Sequence, residues 1–125
     1  MIIMYEKVVE IGLLFDFYGK LLSERQYIII EMYYLHDLSL AEIGEQLKIS
    51  RQGVYDILKR AEDKLYSYED KLGLVKKFQD NKKKLKKILD YANKVNEELT
   101  AEQNGELKNH IKEIKEIALD ILEKN

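Results

Sequence analysis

LSLAEIGEQLKISRQGVYDILKRAEDKL, residues 38–65, contains two short amphipathic patterns separated by the dipeptide Lys48-Ile49. Ser39 precedes the first pattern and Glu42 follows three residues later. At that spacing a serine hydroxyl and an acid satisfy each other's backbone amides in a capping box. Ser50 precedes the second pattern as a further N-cap. Two helices crossing at roughly 90–120° over a short turn need a small residue where they touch, and Gly44 supplies it. They also need apolar side chains on the facing surfaces and in the turn. Ile43, Leu47, Ile49, Val54 and Ile57 fill those places. Residues 39–65 therefore read as a helix-turn-helix. Lys48 is a departure, because many such turns carry glycine there for its left-handed backbone. A lysine implies slight strain or a modified turn.

Outward from this segment the pattern stays helical, so the fold class is all-α. Apolar residues at 4, 8, 11, 15 and 18 predict a helix from about Met4 to Tyr18, closed by Gly19. It is apolar around much of its circumference and so expects burial on more than one side. Ser23 and Gln26 form a second capping box, opening a helix that runs through Tyr34 and Leu35 to end at His36-Asp37. The helix begun at Ser50 continues to about Lys71, where Gly73 interrupts it. Beyond, Phe78, Leu85, Ile88, Ala92, Val95 and Leu99 form the seam of a long helix. Asn104-Gly105 marks a helix end and turn, and Leu107, Ile111, Ile114, Ala118, Ile121 and Leu122 form a last amphipathic helix. The chain thus reads as a four-helix domain over 1–75 followed by a helical extension over 76–125, either a hairpin or an extended coiled coil.

Composition agrees. Proline is absent and glycine occurs six times in 125 residues, too few turn residues for an all-β fold. Without cysteine there is no disulfide, no thiolate metal site and no cysteine nucleophile. Glu6 and Lys7 interrupt the N-terminal apolar pattern, unlike a signal peptide. No apolar run approaches the ~20 residues that span a bilayer. A cytoplasmic protein without membrane insertion is expected. The sequence shows no phosphate-binding glycine loop, nucleophile elbow or metal-ligand spacing. His36 reads as a helix-end residue and Glu42 as a cap. The expectation is a non-enzyme with no metal, cofactor or small-molecule substrate.

Charge is unevenly distributed. Residues 1–75 hold nine Lys/Arg against 13 Asp/Glu, whereas residues 76–94 hold eight lysines against Asp80 and Asp90. In a DNA-binding helix-turn-helix the second helix enters the major groove. Its exposed residues here are Arg51, Gln52, Tyr55, Asp56, Lys59 and Arg60. Arg51 and Gln52 suit base edges, and Lys59 and Arg60 suit phosphates. Asp56 repels phosphates, and Gly53 removes a contact. This is a poor electrostatic footprint for duplex DNA. Lys76, Lys77, Lys82, Lys83, Lys84, Lys86 and Lys87, with Phe78 among them, form the contrasting tract. Lysines beside an aromatic suit an RNA backbone and a stacked base. The alternative is a solvated helix face, the commoner fate of a charge run. Tyr33, Tyr34, Tyr66 and Tyr68 read as core or interface residues with wetted hydroxyls rather than a stacking surface.

Residues 23–66 resemble region 4 of bacterial sigma factors. Where that family carries basic and glutamine groove-reading residues, this chain has Gly53, Tyr55 and Asp56. LLFDFYGKLLSERQ, MYYLHDLSLAEIGEQL, SRQGVYDILKRAEDKL and YEDKLGLVKKF, in that order, more closely resemble the YlxM family, over roughly residues 10–79. That resemblance implies a cytoplasmic accessory or regulatory protein of the signal recognition particle, acting on its RNA or protein. The runner-up is a DNA-binding transcriptional regulator using the 50–65 helix, and a third reading is a structural oligomerisation module. The apolar first helix and the tail seam together point to a homodimer.

Overall fold

The computed structural model describes residues 2–99 and 105–124, and no strand occurs among them. Six α-helices follow in order: α1 (Ile2–Tyr18), α2 (Glu24–Ile30), α3 (Leu40–Leu47), α4 (Arg51–Leu72), α5 (Leu74–Glu98) and α6 (Gly105–Lys124). The chain divides into two compact units, Met1–Val75 and Lys76–Asn125. Asn104, expected at a helix end, lies outside the described residues, and Gly105 is the first residue of α6.

The first unit is held by one apolar core. α1 contributes Ile11, Leu14, Phe15 and Tyr18, α2 contributes Ile29 and Ile30, and α3 contributes Ile43. Val54, Leu58, Ala61 and Leu65 form the inward stripe of α4, at the three- and four-residue spacing of one helix face. α4 lies against α1, α2 and α3 and is the element around which the others assemble. Burying such side chains contributes about 1.5–3 kcal/mol each, which explains how a 75-residue unit stands without cross-links.

Three local features differ from the sequence reading. The second helix is not regular to Leu35. Its last turn, Glu31–Leu35, is a π-helix, in which the amide of His36 donates to the carbonyl of Glu31 at 3.1 Å. Such wide turns put later residues out of step with the α-helical stripe, and Tyr34 lands against Glu62 of α4. Gly19 does not act as a left-handed cap. It opens a single 3-10 turn, Gly19–Leu21, and a Cβ there would meet the Phe15 ring at 3.0 Å. Its value is the missing side chain. The first helix also begins at Ile2 rather than Met4.

Gly73 does take the left-handed conformation, with φ 62°, and ends α4. Across it, the start of α5 is clasped by earlier residues. The Tyr18 hydroxyl donates to Glu69 Oε1 at 2.6 Å and accepts from the Leu74 amide at 3.1 Å. Glu69 Oε1 also accepts from the Val75 amide at 3.0 Å. Two of the four amides that every helix N-terminus leaves without a partner are thereby satisfied.

The second unit consists of the remainder of α5 together with α6. Ala92, Ile111 and Ala118 are buried in it.

The tyrosines give this fold an alkaline limit. The Tyr66 hydroxyl donates to Glu10 at 3.1 Å, and burial first, then this carboxylate, push its pKa up from 10.0 to about 12. Burial and Glu62 likewise raise Tyr34, and burial and Glu69 raise Tyr18. Each proton is held more tightly folded than unfolded, so the stability these groups contribute is intact below the unfolded value of 10.0 and is lost as pH rises from there through the folded values, about 12 for Tyr66. A titration followed by phenolate absorbance and circular dichroism together should show these three of the nine tyrosines ionising with unfolding rather than before it.

Candidate nucleic-acid interface

The helix-turn-helix is built by its caps and its glycine. The Ser39 hydroxyl accepts from the Glu42 amide at 3.1 Å, and Glu42 Oε1 accepts from the Ser39 amide at 3.0 Å. These bonds hold the Glu42 carboxyl below its ordinary value. Ser23 and Gln26 make the same reciprocal pair at α2. The Ser50 hydroxyl accepts from the Gly53 amide at 2.9 Å and so starts α4. Ile43 and Val54 are fully buried, and Leu47, Ile49 and Ile57 are half-buried against the core. Gly44 sits where α3 meets the turn. Its carbonyl accepts from the Ile49 amide at 3.0 Å, and a Cβ on it would lie 2.7 Å from the Ile49 carbonyl oxygen. No ordinary side chain fits there.

Lys48 adopts φ 60° and ψ 43°, so the turn is the left-handed one and a lysine carries its strain. Lys48→Gly should raise stability by about 0.5–1 kcal/mol, the left-handed penalty less the greater chain entropy of glycine. Chemical denaturation would read it as a higher midpoint at unchanged slope.

Arg51, Gln52, Tyr55, Asp56, Lys59 and Arg60 are all exposed along α4, Tyr55 at 47%. Two of them are engaged with acids of their own helix. Gln52 Nε2 donates to Asp56 at 3.0 Å, and Lys59 lies 3.7 Å from Asp63. An acid therefore occupies one base-reading group and another partly offsets one phosphate-binding group. Lys76, Lys77, Lys82, Lys83, Lys84, Lys86 and Lys87 are exposed on α5, and Phe78 is half-buried there. Lys82 Nζ stands 5.8 Å from the Phe78 ring centroid. Lysine and aromatic are thus neighbours on one stretch of helix.

Tyr33 and Tyr34 pack edge to face at 5.0 Å, and Tyr68 donates to the Leu21 carbonyl at 3.3 Å. With Tyr66 bonded to Glu10 and Tyr34 to Glu62, these rings belong to the packing of the first unit. His36 is exposed beyond the π turn. Among the described residues no group of three or more His, Asp or Glu is placed to hold a metal ion, and no helix is long and apolar enough to cross a membrane.

Sequence reading assigned no role to Glu62. It is only 5% exposed, accepts from the Tyr34 hydroxyl at 2.5 Å and pairs with Lys7 at 2.9 Å. The signal was its place on the apolar stripe beside Leu58, Ala61 and Leu65, where a carboxylate requires partners.

Comparison with known proteins agrees with this geometry. Residues 5–117 match the family described as "Putative helix-turn-helix protein, YlxM / p13 like", UPF0122. A UPF0122 protein of Caldanaerobacter subterraneus subsp. tengcongensis is 67% identical over 76 residues, which cover 61% of this chain and 65% of that relative. One from Thermoanaerobacter sp. is 52% identical over 113 residues, 90% of this chain and 92% of its own. One from Desulforamulus reducens is 46% identical over 115 residues, 92% of each. The family description names a helix-turn-helix and no reaction. The chain belongs to the UPF0122 family of YlxM/p13-like helix-turn-helix proteins.

Proposed function

We propose that this protein is a cytoplasmic accessory factor of the signal recognition particle, in which the helix-turn-helix is a scaffold and the α5 lysine tract contacts the particle's RNA. The particle enters through the resemblance to the YlxM family. The choice of RNA rests on one observation: cationic side chains are dense and exposed on α5, whereas α4, the helix that would read a groove, has acids set among its polar groups. Polyanion affinity grows with the number of cations that displace counterions, and that number is larger on α5.

Replacing Lys82, Lys83 and Lys86 together by glutamine should weaken RNA binding. It should also lower the slope of log affinity against log salt by about 0.7 per lysine in contact with a single strand. Arg51→Ala should leave RNA binding unchanged. Steep, salt-dependent binding to duplex DNA that is lost in Arg51→Ala would favour a transcriptional regulator instead. Capture from cytosolic extract, with and without ribonuclease, tests the particle itself. Recovery of neither its RNA nor its protein would overturn the assignment.

A further inference from the structure

The second unit leaves one apolar face uncovered. Ile88, Tyr91 and Val95 of α5 and Leu107 and Ile114 of α6, with the buried Ala92 and Ile111 at its floor, line an apolar groove of about 360 Å³. Tyr91 is 65% exposed, and Ile117, one turn beyond Ile114, is 62% exposed. Val95 and Leu107 are the groove residues nearest in sequence to the connection, so the two helices run in opposite directions along it. The edges of this face differ in charge. On α5, helical periodicity places Lys83, Lys87 and Lys94 along the outer edge, and Lys94 Nζ stands 5.7 Å from the Tyr91 ring centroid. On α6 the outer edge carries Glu106 and Glu113, and Ile117 lies in a shallow depression lined by Glu113, Glu116 and Asp120.

We propose that this face binds a second copy of the chain, completing an antiparallel four-helix bundle in which α5 of each copy lies over α6 of the other. Two helices cannot cover their own stripe, whereas four arranged around a common core can. The edge charges select both occupant and alignment. A two-fold axis parallel to the helices brings the lysine edge of each copy against the glutamate edge of its partner, twice over. The other two-fold alignment sets α5 on α5, lysine against lysine, and α6 on α6, glutamate against glutamate. Edge charges of this kind set partner choice and orientation in helical bundles. Lys82 and Lys86 fall outside this edge by the same periodicity, so these two lysines stay accessible to RNA in the dimer.

The test is sedimentation equilibrium of the full chain freed of nucleic acid. The wild type is expected to be a dimer. Lys87→Glu with Lys94→Glu should raise the dissociation constant by about tenfold or more at low salt, and so should Glu106→Lys with Glu113→Lys, since each reverses surface pairs at two symmetry-related places. Mixing the two variants should restore dimers, which unfolding of either could not produce. Ile114→Glu should dissociate the dimer, with circular dichroism reporting whether the helices persist. A wild type that stays monomeric at all concentrations overturns the proposal. So does a dimer indifferent to both charge reversals and to a folded Ile114→Glu.

Discussion

Replacing Gly44 by alanine is expected to destabilise the first unit by about 3 kcal/mol, at the upper end of overpacking costs. The added methyl would stand 2.7 Å from the Ile49 carbonyl oxygen, a backbone atom rather than the end of a flexible side chain. Relief must come from moving the turn. The turn is fixed by the Ile49 amide bonded to Gly44, by the left-handed Lys48 and by the Ser50 cap. Alanine's better helix propensity returns at most about 1 kcal/mol. For a unit of this size the net loss lowers Tm by roughly 10 °C or more. Calorimetry checks it, and a midpoint within a few degrees of wild type would show that the helices do not meet at this residue. Gly53→Ala is the control: its Cβ would meet only the Ser50 hydroxyl at 3.1 Å and the Ile49 side chain.

The other large effect is expected at Glu62. Its carboxylate is buried, accepts from Tyr34 and faces Lys7, so it joins α1, the π turn and α4 at one oxygen. Glu62→Ala removes the charged acceptor and leaves a void, for a combined loss of about 3 kcal/mol. Tyr34→Phe alone should cost about 1.5 kcal/mol, because Lys7 still faces the carboxylate. The double variant should lose less than the sum by about 1 kcal/mol, the coupling of groups in direct contact. Additive losses would mean that Tyr34 and Glu62 act independently. Lys7 is nearly half exposed and can turn to water, so Lys7→Ala should have the smallest effect of the three.

These two sites also mark what sequence could reveal. The helix-turn-helix was legible because its determinants are local. Ser39 lies three residues from Glu42, Ser50 three from Gly53, and Gly44 five from Ile49, so spacing alone identifies each pair. The end of α4 at Gly73 was legible for the same reason. Partners set by tertiary packing were not. Glu62 meets Tyr34 across 28 positions, and Tyr18 meets Glu69 across 51, with no local pattern to announce either. The π turn belongs with them, since Glu31–Leu35 carries no residue that forbids a regular helix and Tyr34 instead lies where a distant carboxylate receives it. The α5 lysines were legible as charge. Which of them border the apolar side of the helix became visible only with the groove.

The Tyr18 hydroxyl and the Glu69 carboxylate also stand ready to start the tail helix. Nucleating a helix is the costly step, since several residues are fixed for the first bond gained. Here two of the opening amides of α5 find acceptors supplied by side chains up to 56 positions upstream. N-terminal units generally fold first during synthesis, an order in which these acceptors would precede the helix they cap. Tyr18→Phe should strip the Leu74 amide of its acceptor and speed its hydrogen exchange, while Glu69 still holds the Val75 amide and the helix keeps one of its two anchors.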